Sequence, residues 1–373
     1  MSEITWRVLC VDDDEHITRQ IQEFIDGEAA GAADEILQVD ATTEFGESLT
    51  LLETNRYDVI ILDMRVGDPA AIRPEVEAGA QLLAEIQRRR FLPIIFYTGL
   101  PGLVEDHGGP LVRVVEKTEG VDRLLEEVRA VVEEGLPRLN RILMGHVEEV
   151  QRKYMWEFVG PNWNRIRESG RDGTELAYLL GRRLAASLTE ASVSNLASEL
   201  GGGPSATEGR YHPVRMYLMP PVSANYMPGE LLRSESPENG EYSVLLTPAC
   251  DIAQDKAEFM LVARCVPLST TLQFQRNNSE STRSNASKGE LKKLLGNKFE
   301  RFYYLPAALD VPDLVVDFQQ LATFECGELL GFIRVAALDS PFSQALLSQF
   351  TRYFSRLGTP DLDIDAIMTR IVE

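Results

Sequence analysis

The first 130 residues alternate short apolar runs with stretches of helical spacing, and no other feature of this chain constrains its fold so tightly. The runs fall at residues 7–11, 36–39, 59–62, 93–97 and 112–115, each four or five residues long and rich in valine and isoleucine. Strands buried on both faces have this composition. Between them, residues 17–25, 43–52, 80–86 and 121–132 place apolar side chains three and four apart, as amphipathic helices require. Five strands separated by helices predict an α/β unit built from βαβ crossovers around a doubly wound parallel sheet.

In an open sheet of this kind the chemistry gathers at the carboxyl ends of the strands. Here the first strand ends in Asp12-Asp13-Asp14, the third in Asp63, the fourth in Thr98-Gly99 and the fifth in Glu116-Lys117. Crowded carboxylates repel one another unless a hard cation sits among them, and Mg²⁺ prefers oxygen ligands of this sort. A lysine and a hydroxyl beside that cation would suit an added phosphoryl group. Any one of these residues alone reads as a loop residue or a helix cap. Four strand ends that agree in chain order are a stronger signal.

On these residues, positions 5 to about 132 resemble the receiver domain of two-component response regulators, a flavodoxin-like fold. The resemblance implies that Asp63 is the phosphoacceptor, that Asp12 and Asp13 are the acidic pair, and that Thr98 and Lys117 are the hydroxyl and the lysine of the site. It further implies Mg²⁺ held by Asp13, Asp63 and the backbone carbonyl of Arg65, with Asp12 acting through water, and a histidine kinase or phosphotransfer protein as donor. The chemistry would be in-line phosphoryl transfer, where positioning and charge neutralisation do most of the work. Three positions depart from the family pattern. Thr118 follows Lys117 where proline is usual, Val114 stands where a switch aromatic is usual, and residues 66–79, with Gly67, Pro69 and Pro74, form a long connection beside the acceptor.

The receiver expectation covers residues 1–134. A helical connector is expected over residues 135–205: Gly135 can end one helix, Pro137 can open the next, and residues 137–159 and 174–200 carry helical spacing. The first of these helices could dimerise or pack on the downstream domain, and a homodimer could form through the receiver or through this helix. Within it, Arg141 and His146 have the spacing of a helical ribonuclease pair, a weak signal that two helix-surface residues explain better. A glycine-rich, polar stretch closes the connector. Over residues 206–373 the pattern changes to strands at 215–219, 242–247, 259–266, 302–305 and 329–336, with a final aromatic-rich helix at 340–357. A mainly β or α+β output domain is the expectation.

That output region carries no basic recognition helix, GGDEF or EAL motif, phosphate-binding loop or zinc signature. Cys250 beside Asp251 could be a nucleophile, but activation needs a base or cation nearby, and His212 is the one histidine of the region. A buried thiol and a turn aspartate is the plainer alternative. Residues 275–304 carry seven basic and three acidic side chains next to Phe299, Phe302, Tyr303 and Tyr304. Such a segment could grip single-stranded nucleic acid, although a solvated loop that docks on the acidic receiver is the better explanation. The functional expectation is a response regulator with a non-standard output, set beside a receiver-controlled enzyme acting on nucleic acid or nucleotide, and a non-catalytic adaptor.

Charge and composition bound these readings. The 373 residues have a net charge of −21 at pH 7, and residues 1–135, with 12 Lys+Arg against 29 Asp+Glu, account for −17 of it. The acidity therefore disfavours nucleic-acid binding by the first third and leaves the remainder open. Four scattered cysteines without a CxxC pair argue against a disulfide framework. No apolar run reaches the ~20 residues of a membrane span, and residues 1–7 lack the regions of a secretory signal, so the expected compartment is the cytoplasm.

Overall fold

The computed structural model describes residues 4–31, 34–63, 77–103, 109, 111–168, 173–187, 212–235, 240–356 and 361–372. The chain divides into two compact units, Met1–Ala206 and Thr207–Glu373.

In the first unit, β1 (Ile4–Val11), β2 (Glu35–Thr42), β3 (Val59–Leu62), β4 (Ile94–Thr98) and β5 (Val112–Glu116) form a parallel sheet in the order β2-β1-β3-β4-β5. Helices α1 (Glu15–Ile25), α2 (Phe45–Thr54), α3 (Glu77–Arg89) and α4 (Gly120–Glu133) connect or follow the strands. The two-residue period of the strands divides the core. Trp6, Val8, Cys10, Ile61 and Ile95 pack with α1 and α4 on one face. Leu9, Val11, Ile60, Leu62 and Phe96 pack with α2 and α3 on the other. Each fully buried aliphatic side chain contributes about 1.5–3 kcal/mol, so both faces hold the strand ends firmly. The described part of the connection from β4 to β5, residues 99–103, 109 and 111, includes a 3₁₀ turn at Pro101–Leu103.

Gly135, with φ of 84°, ends α4, and α5 (Leu136–Tyr154) starts at once with Pro137 in its first turn. A left-handed residue at this junction is accessible to glycine at little cost. Helix α5 turns back to the amino ends of the strands. The Arg138 and Arg141 guanidinium groups lie over the Trp6 ring at 5.3 and 4.2 Å from its centroid. Arg138 pairs with Glu35, which also accepts from Trp6 Nε1 at 2.8 Å, and Arg141 pairs with Asp58 at 2.5 Å. A π-helical stretch, Met155–Val159, leads into α6 (Gly160–Glu168), and α7 (Gly173–Ser187) follows. The residues beyond 187 of the helix expected over 174–200 lie outside the described residues, as does the glycine-rich stretch.

The second unit is an antiparallel sheet of seven strands in the order β10-β11-β9-β8-β7-β12-β6. The strands are β6 (Tyr217–Leu218), β7 (Glu230–Ser234), β8 (Tyr242–Leu245), β9 (Phe259–Pro267), β10 (Phe302–Leu305), β11 (Leu314–Glu325) and β12 (Phe332–Leu338). Helices α8 (Ala249–Ala253), α9 (Leu272–Asn278), α10 (Asn285–Leu295), α11 (Phe342–Phe354) and α12 (Ile364–Val372) complete it. Gly229, at φ of 89°, lets β7 pass close to α11, where an added Cβ would lie 2.9 Å from Ser343 Cβ. The expected aromatic docking is present: Phe318 of β11 meets Phe350 and Tyr353 of α11 at ring distances of 5.5 and 6.2 Å.

Three local expectations are corrected. The run at 329–336 begins as a 3₁₀ turn, Glu328–Gly331, before β12. The segment at 215–219 is largely a 3₁₀ turn, Pro213–Met216, followed by the two residues of β6. Strands β7 and β11 had no place in the sequence reading.

Candidate functional site

Three strand ends deliver charged groups to one place. Asp12 follows β1 directly and is 2% exposed; Asp63 follows β3 and is 4% exposed. Asp13 lies beside them on the surface, and the three carboxylates offer ligand oxygens all within 4.8 Å of one another. Asp14 is set apart. Its carboxylate caps α1 by accepting from the His16 N–H at 2.8 Å, and its own N–H donates to Asp12 Oδ1 at 3.0 Å. Two of the three consecutive aspartates thus face the cluster and the third is a helix cap.

Lys117 reaches into the cluster from β5. Its Nζ lies 2.7 Å from Asp12 Oδ2 and 2.8 Å from Asp63 Oδ2. Burial opposes the charge on Lys117, but the hydrogen bonds to Asp12 and Asp63 outweigh it, and the ammonium is held above its ordinary pKa. Burial pushes Asp12 above the usual carboxylate range, with Lys117 pulling the other way. Cys10, two residues before Asp12 and fully buried, has its thiol pushed up by burial, so it is an inert part of the floor.

The loop that carries Lys117 is fixed without proline. Lys117–Glu119 is a 3₁₀ turn closed reciprocally: the Glu119 carboxylate accepts from the Glu116 N–H at 2.8 Å, and the Glu116 side chain caps the turn's backbone. Thr118 Oγ1 also donates to Glu116. Thr98, fully buried, ends β4, and its backbone pairs in register with Glu116, one residue before Lys117. Its Oγ1 accepts from the Leu100 N–H at 3.2 Å. Neighbouring Tyr97 was not singled out from sequence. It faces the α4 side of the sheet and donates from its hydroxyl to the Lys117 carbonyl over a long 3.5 Å. A tyrosine one residue before a strand-end threonine is the only trace of that contact in the sequence.

Arg65, expected to offer a backbone carbonyl, and the loop over 66–76 lie outside the described residues. The ribonuclease-like pair is not assembled. Arg141 is engaged with Asp58 and Trp6, while His146 Nε2 lies 2.9 Å from Ser187 Oγ. In the second unit Cys250 and Asp251 stand together on the short α8, Sγ 3.5 Å from the Asp251 carboxylate. Both are outside the core, Cys250 exposed and Asp251 partly so. His212 caps its own turn, accepting from the Val214 N–H at 3.3 Å, and no histidine contacts Cys250 among the described residues. The basic segment is two helices, α9 and α10, and the start of β10. Arg301 within it is tied to Asp317 in a two-pronged pair of 2.6 and 2.7 Å.

No protein-family model matches the chain, and neither does any curated protein. Similar solved structures exist for the first third. The likeness is to receiver domains. The receiver domain of a Francisella response regulator is 21% identical, covering 34% of this chain and 97% of its own, with a TM-score of 0.26. The response regulator protein TrrA from Thermotoga maritima, solved in complex with Mg²⁺ and BeF, is 23% identical over 34% of this chain and 98% of its own, TM-score 0.27. The signal receiver domain of a putative LuxO repressor protein from Vibrio parahaemolyticus is 19% identical over 37% and 96%, TM-score 0.28. Among the described residues, no helix is long and apolar enough to cross a membrane.

Proposed function

We propose that the first unit carries a phosphoacceptor receiver in which Asp63 takes a phosphoryl group from a histidine kinase or phosphotransfer protein, and that this event controls the second unit. One observation carries the reading. Asp63 and Asp12 share the Lys117 ammonium at 2.8 and 2.7 Å, with the Asp13 carboxylate in reach, at the carboxyl end of a parallel sheet. In transfer, an Asp63 carboxylate oxygen would attack phosphorus in line while the donor's phosphorus–nitrogen bond breaks, and the imidazole would leave carrying the bonding pair. Lys117 would release its contact with Asp63 Oδ2 and neutralise an equatorial oxygen. Thr98 would hydrogen-bond the aspartyl phosphate from the neighbouring strand.

The all-oxygen donor set of Asp12, Asp13 and Asp63 fits a hard divalent cation. Mg²⁺ there, completed by the Arg65 carbonyl, would supply charge neutralisation for the incoming phosphoryl group. In this reading residues 1–134 are the receiver, 135–205 a helical connector and 206–373 the output domain, all in the cytoplasm. Helix α5 keeps Leu139, Leu143 and Val147 exposed at four-residue spacing, which favours a homodimer through the connector.

The test is incubation of the full chain with acetyl phosphate or phosphoramidate and MgCl₂, read by intact mass. Wild type should gain one phosphoryl group, Asp63→Ala none, and EDTA should suppress the gain. Equal incorporation in wild type and Asp63→Ala would overturn the assignment.

A further inference from the structure

At the opposite ends of the same strands, beneath α5, lies a cavity of about 820 Å³. That volume is within the range of small-molecule sites, roughly 300–1,000 Å³. Its wall carries five arginines, Arg7, Arg56, Arg89, Arg90 and Arg141, against a single carboxylate, Asp58. Four of the five arginines, all but Arg141, belong to residues 1–135, whose net charge is −17. Such a cluster repels itself unless an anion is present or carboxylates are recruited from outside the wall, and here they are recruited unevenly.

Arg7 and Arg141 are committed to the scaffold. Arg7 is paired with Asp40 and lies over the Tyr57 ring, and Arg141 is bound to Asp58 and the Thr5 carbonyl. The other three are held loosely. Arg56 pairs with Glu148 and Arg89 with Glu53 and Glu85, in ion pairs whose members are all at least a third exposed. Pairs of that kind are worth about 0–1 kcal/mol and exchange easily. Arg90 has no carboxylate partner among the described residues and donates from its guanidinium to the Glu53 carbonyl at 3.2 Å. Next to it the Phe91 ring is 48% exposed at the cavity wall. The amides of Gln38, Asn55 and Asn140 also line the wall.

We propose that this cavity binds a nucleoside phosphate, its phosphates held by Arg56, Arg89 and Arg90 and its base stacked on Phe91. Guanidinium forks match phosphate oxygens two at a time. An exposed aromatic face stacks any base, and side-chain amides can both donate to and accept from a base edge. The bound ligand would also engage α5. Glu148 of α5 holds Arg56, and Asn140 of α5 reaches the Phe91 carbonyl at 3.4 Å, so the ligand competes for contacts that join α5 to the sheet.

The experiment is titration of the full chain with fluorescent N-methylanthraniloyl ATP and GTP, in EDTA so that the acidic cluster takes no part. Competition uses unlabelled ATP, GTP, AMP and inorganic pyrophosphate. Saturable binding is expected, displaced by a nucleotide and much less well by pyrophosphate. Arg90→Ala and Phe91→Ala, both surface changes, should each weaken it about tenfold or more, while Lys292→Ala in the second unit should leave it unchanged. Circular dichroism and thermal melting show whether each variant is folded. Absence of saturable binding up to ~1 mM ligand would overturn the proposal. So would affinity unaltered by Arg90→Ala, or displacement by pyrophosphate as effective as by ATP, which would mark a simple anion site.

Discussion

Replacing Lys117 by methionine asks whether one ammonium holds two buried carboxylates together. Methionine keeps most of the stem's volume and removes the charge. In the wild type the two contacts are 2.7 and 2.8 Å long, and at an effective dielectric of ~20 each is worth about 6 kcal/mol. The Asp12 and Asp63 oxygens, no more than 4.8 Å apart, repel one another by about 3 kcal/mol or more on the same basis. Desolvation of the three ions, several kcal/mol each, offsets much of the attraction. Breaking a buried pair by removing one partner leaves the other uncompensated, at a cost of ~3–5 kcal/mol. Against a domain stability of about 5–15 kcal/mol, the variant in EDTA at pH 7 should be severely weakened yet measurable.

Two rescues distinguish this cause from a general packing defect. Burial already raises the Asp12 pKa and Lys117 opposes that rise, so without the lysine Asp12 is raised further. A carboxyl whose folded pKa exceeds its unfolded ~3.9 stabilises the fold in its protonated form. That contribution is complete below the unfolded pKa and is lost as pH rises through the folded one. Lys117→Met should therefore recover relative to wild type as pH falls from neutrality. It should also respond more strongly to MgCl₂, since no ammonium competes for the same oxygens; a ligand at a hundred times its Kd contributes about 2.7 kcal/mol. All three tryptophans, Trp6, Trp156 and Trp163, lie in the first unit, so urea unfolding followed by tryptophan fluorescence reports on that unit alone. A loss below ~1 kcal/mol, as for a surface pair, with wild-type responses to Mg²⁺ and pH, would refute the reasoning.

Three further outcomes follow from charges placed elsewhere. Arg334→Met leaves the fully buried Glu230 without its two-pronged partner at 2.6 and 2.8 Å and should cost ~3–5 kcal/mol. Adding Glu230→Gln should recover part of it, and strict additivity in a double-mutant cycle would contradict the pairing. For Asp317, burial is outweighed by hydrogen bonds from Arg301, Gln320 and the Gln319 N–H, and its pKa is lowered. Its stabilisation is thus present above the unfolded value of ~3.9 and lost as pH falls through the folded one. Acid unfolding of Asp317→Asn should accordingly be flatter than wild type below pH ~4, and an unchanged slope would remove Asp317 from the acid response. Arg141→Ala should cost ~1–2 kcal/mol in lost cation–π and ion-pair contacts, with faster hydrogen exchange over Leu136–Tyr154; unchanged exchange would show that α5 is held by other contacts.

The first unit was legible because its signals are local. Each buried strand is a short Val/Ile run, and each acid or base of the site directly follows one, so that finding the strand also finds the residue. The second unit hid its longest strand. In β11, residues 314–318 are buried on both faces, whereas 319–325 are mostly exposed, and an irregularity between Val316 and Leu321 resets the pairing with β9. No single period runs through such a segment. The basic segment was harder to read for another reason. Helices α9 and α10 are short and begin at Thr271 and Ser284, whose side chains cap them. Their lysines and arginines masked the buried Leu294, and the burial of Asp317 that makes Arg301 a structural residue is invisible without the fold. Arg141 likewise reads as helix surface and Arg138 carries no signal of its own, because their partners Trp6, Glu35 and Asp58 lie about 80–130 residues away in the chain.

Those long-range contacts bear on how a phosphoryl group at one end of the sheet could be felt at the other. Val114, three residues before Lys117, carries no ring, so a ring rotation is not available at that position. What the fold offers instead is α4. It begins three residues after Lys117, buries Val121, Leu124, Val128 and Val131 against the face that holds Trp6, Val8 and Cys10, and ends at Gly135, where α5 begins. That row on β1 runs from Trp6, under the two arginines of α5, to Cys10, two residues before Asp12. A close-packed interface of this kind does not deform gradually. Movement of the Lys117 loop would therefore carry α4 as a body, and the left-handed glycine at its end is where such a shift would pass to α5. Under the proposed phosphorylation of Asp63, the α5 contacts with Trp6, Glu35 and Asp58 would be the ones to hold or break together.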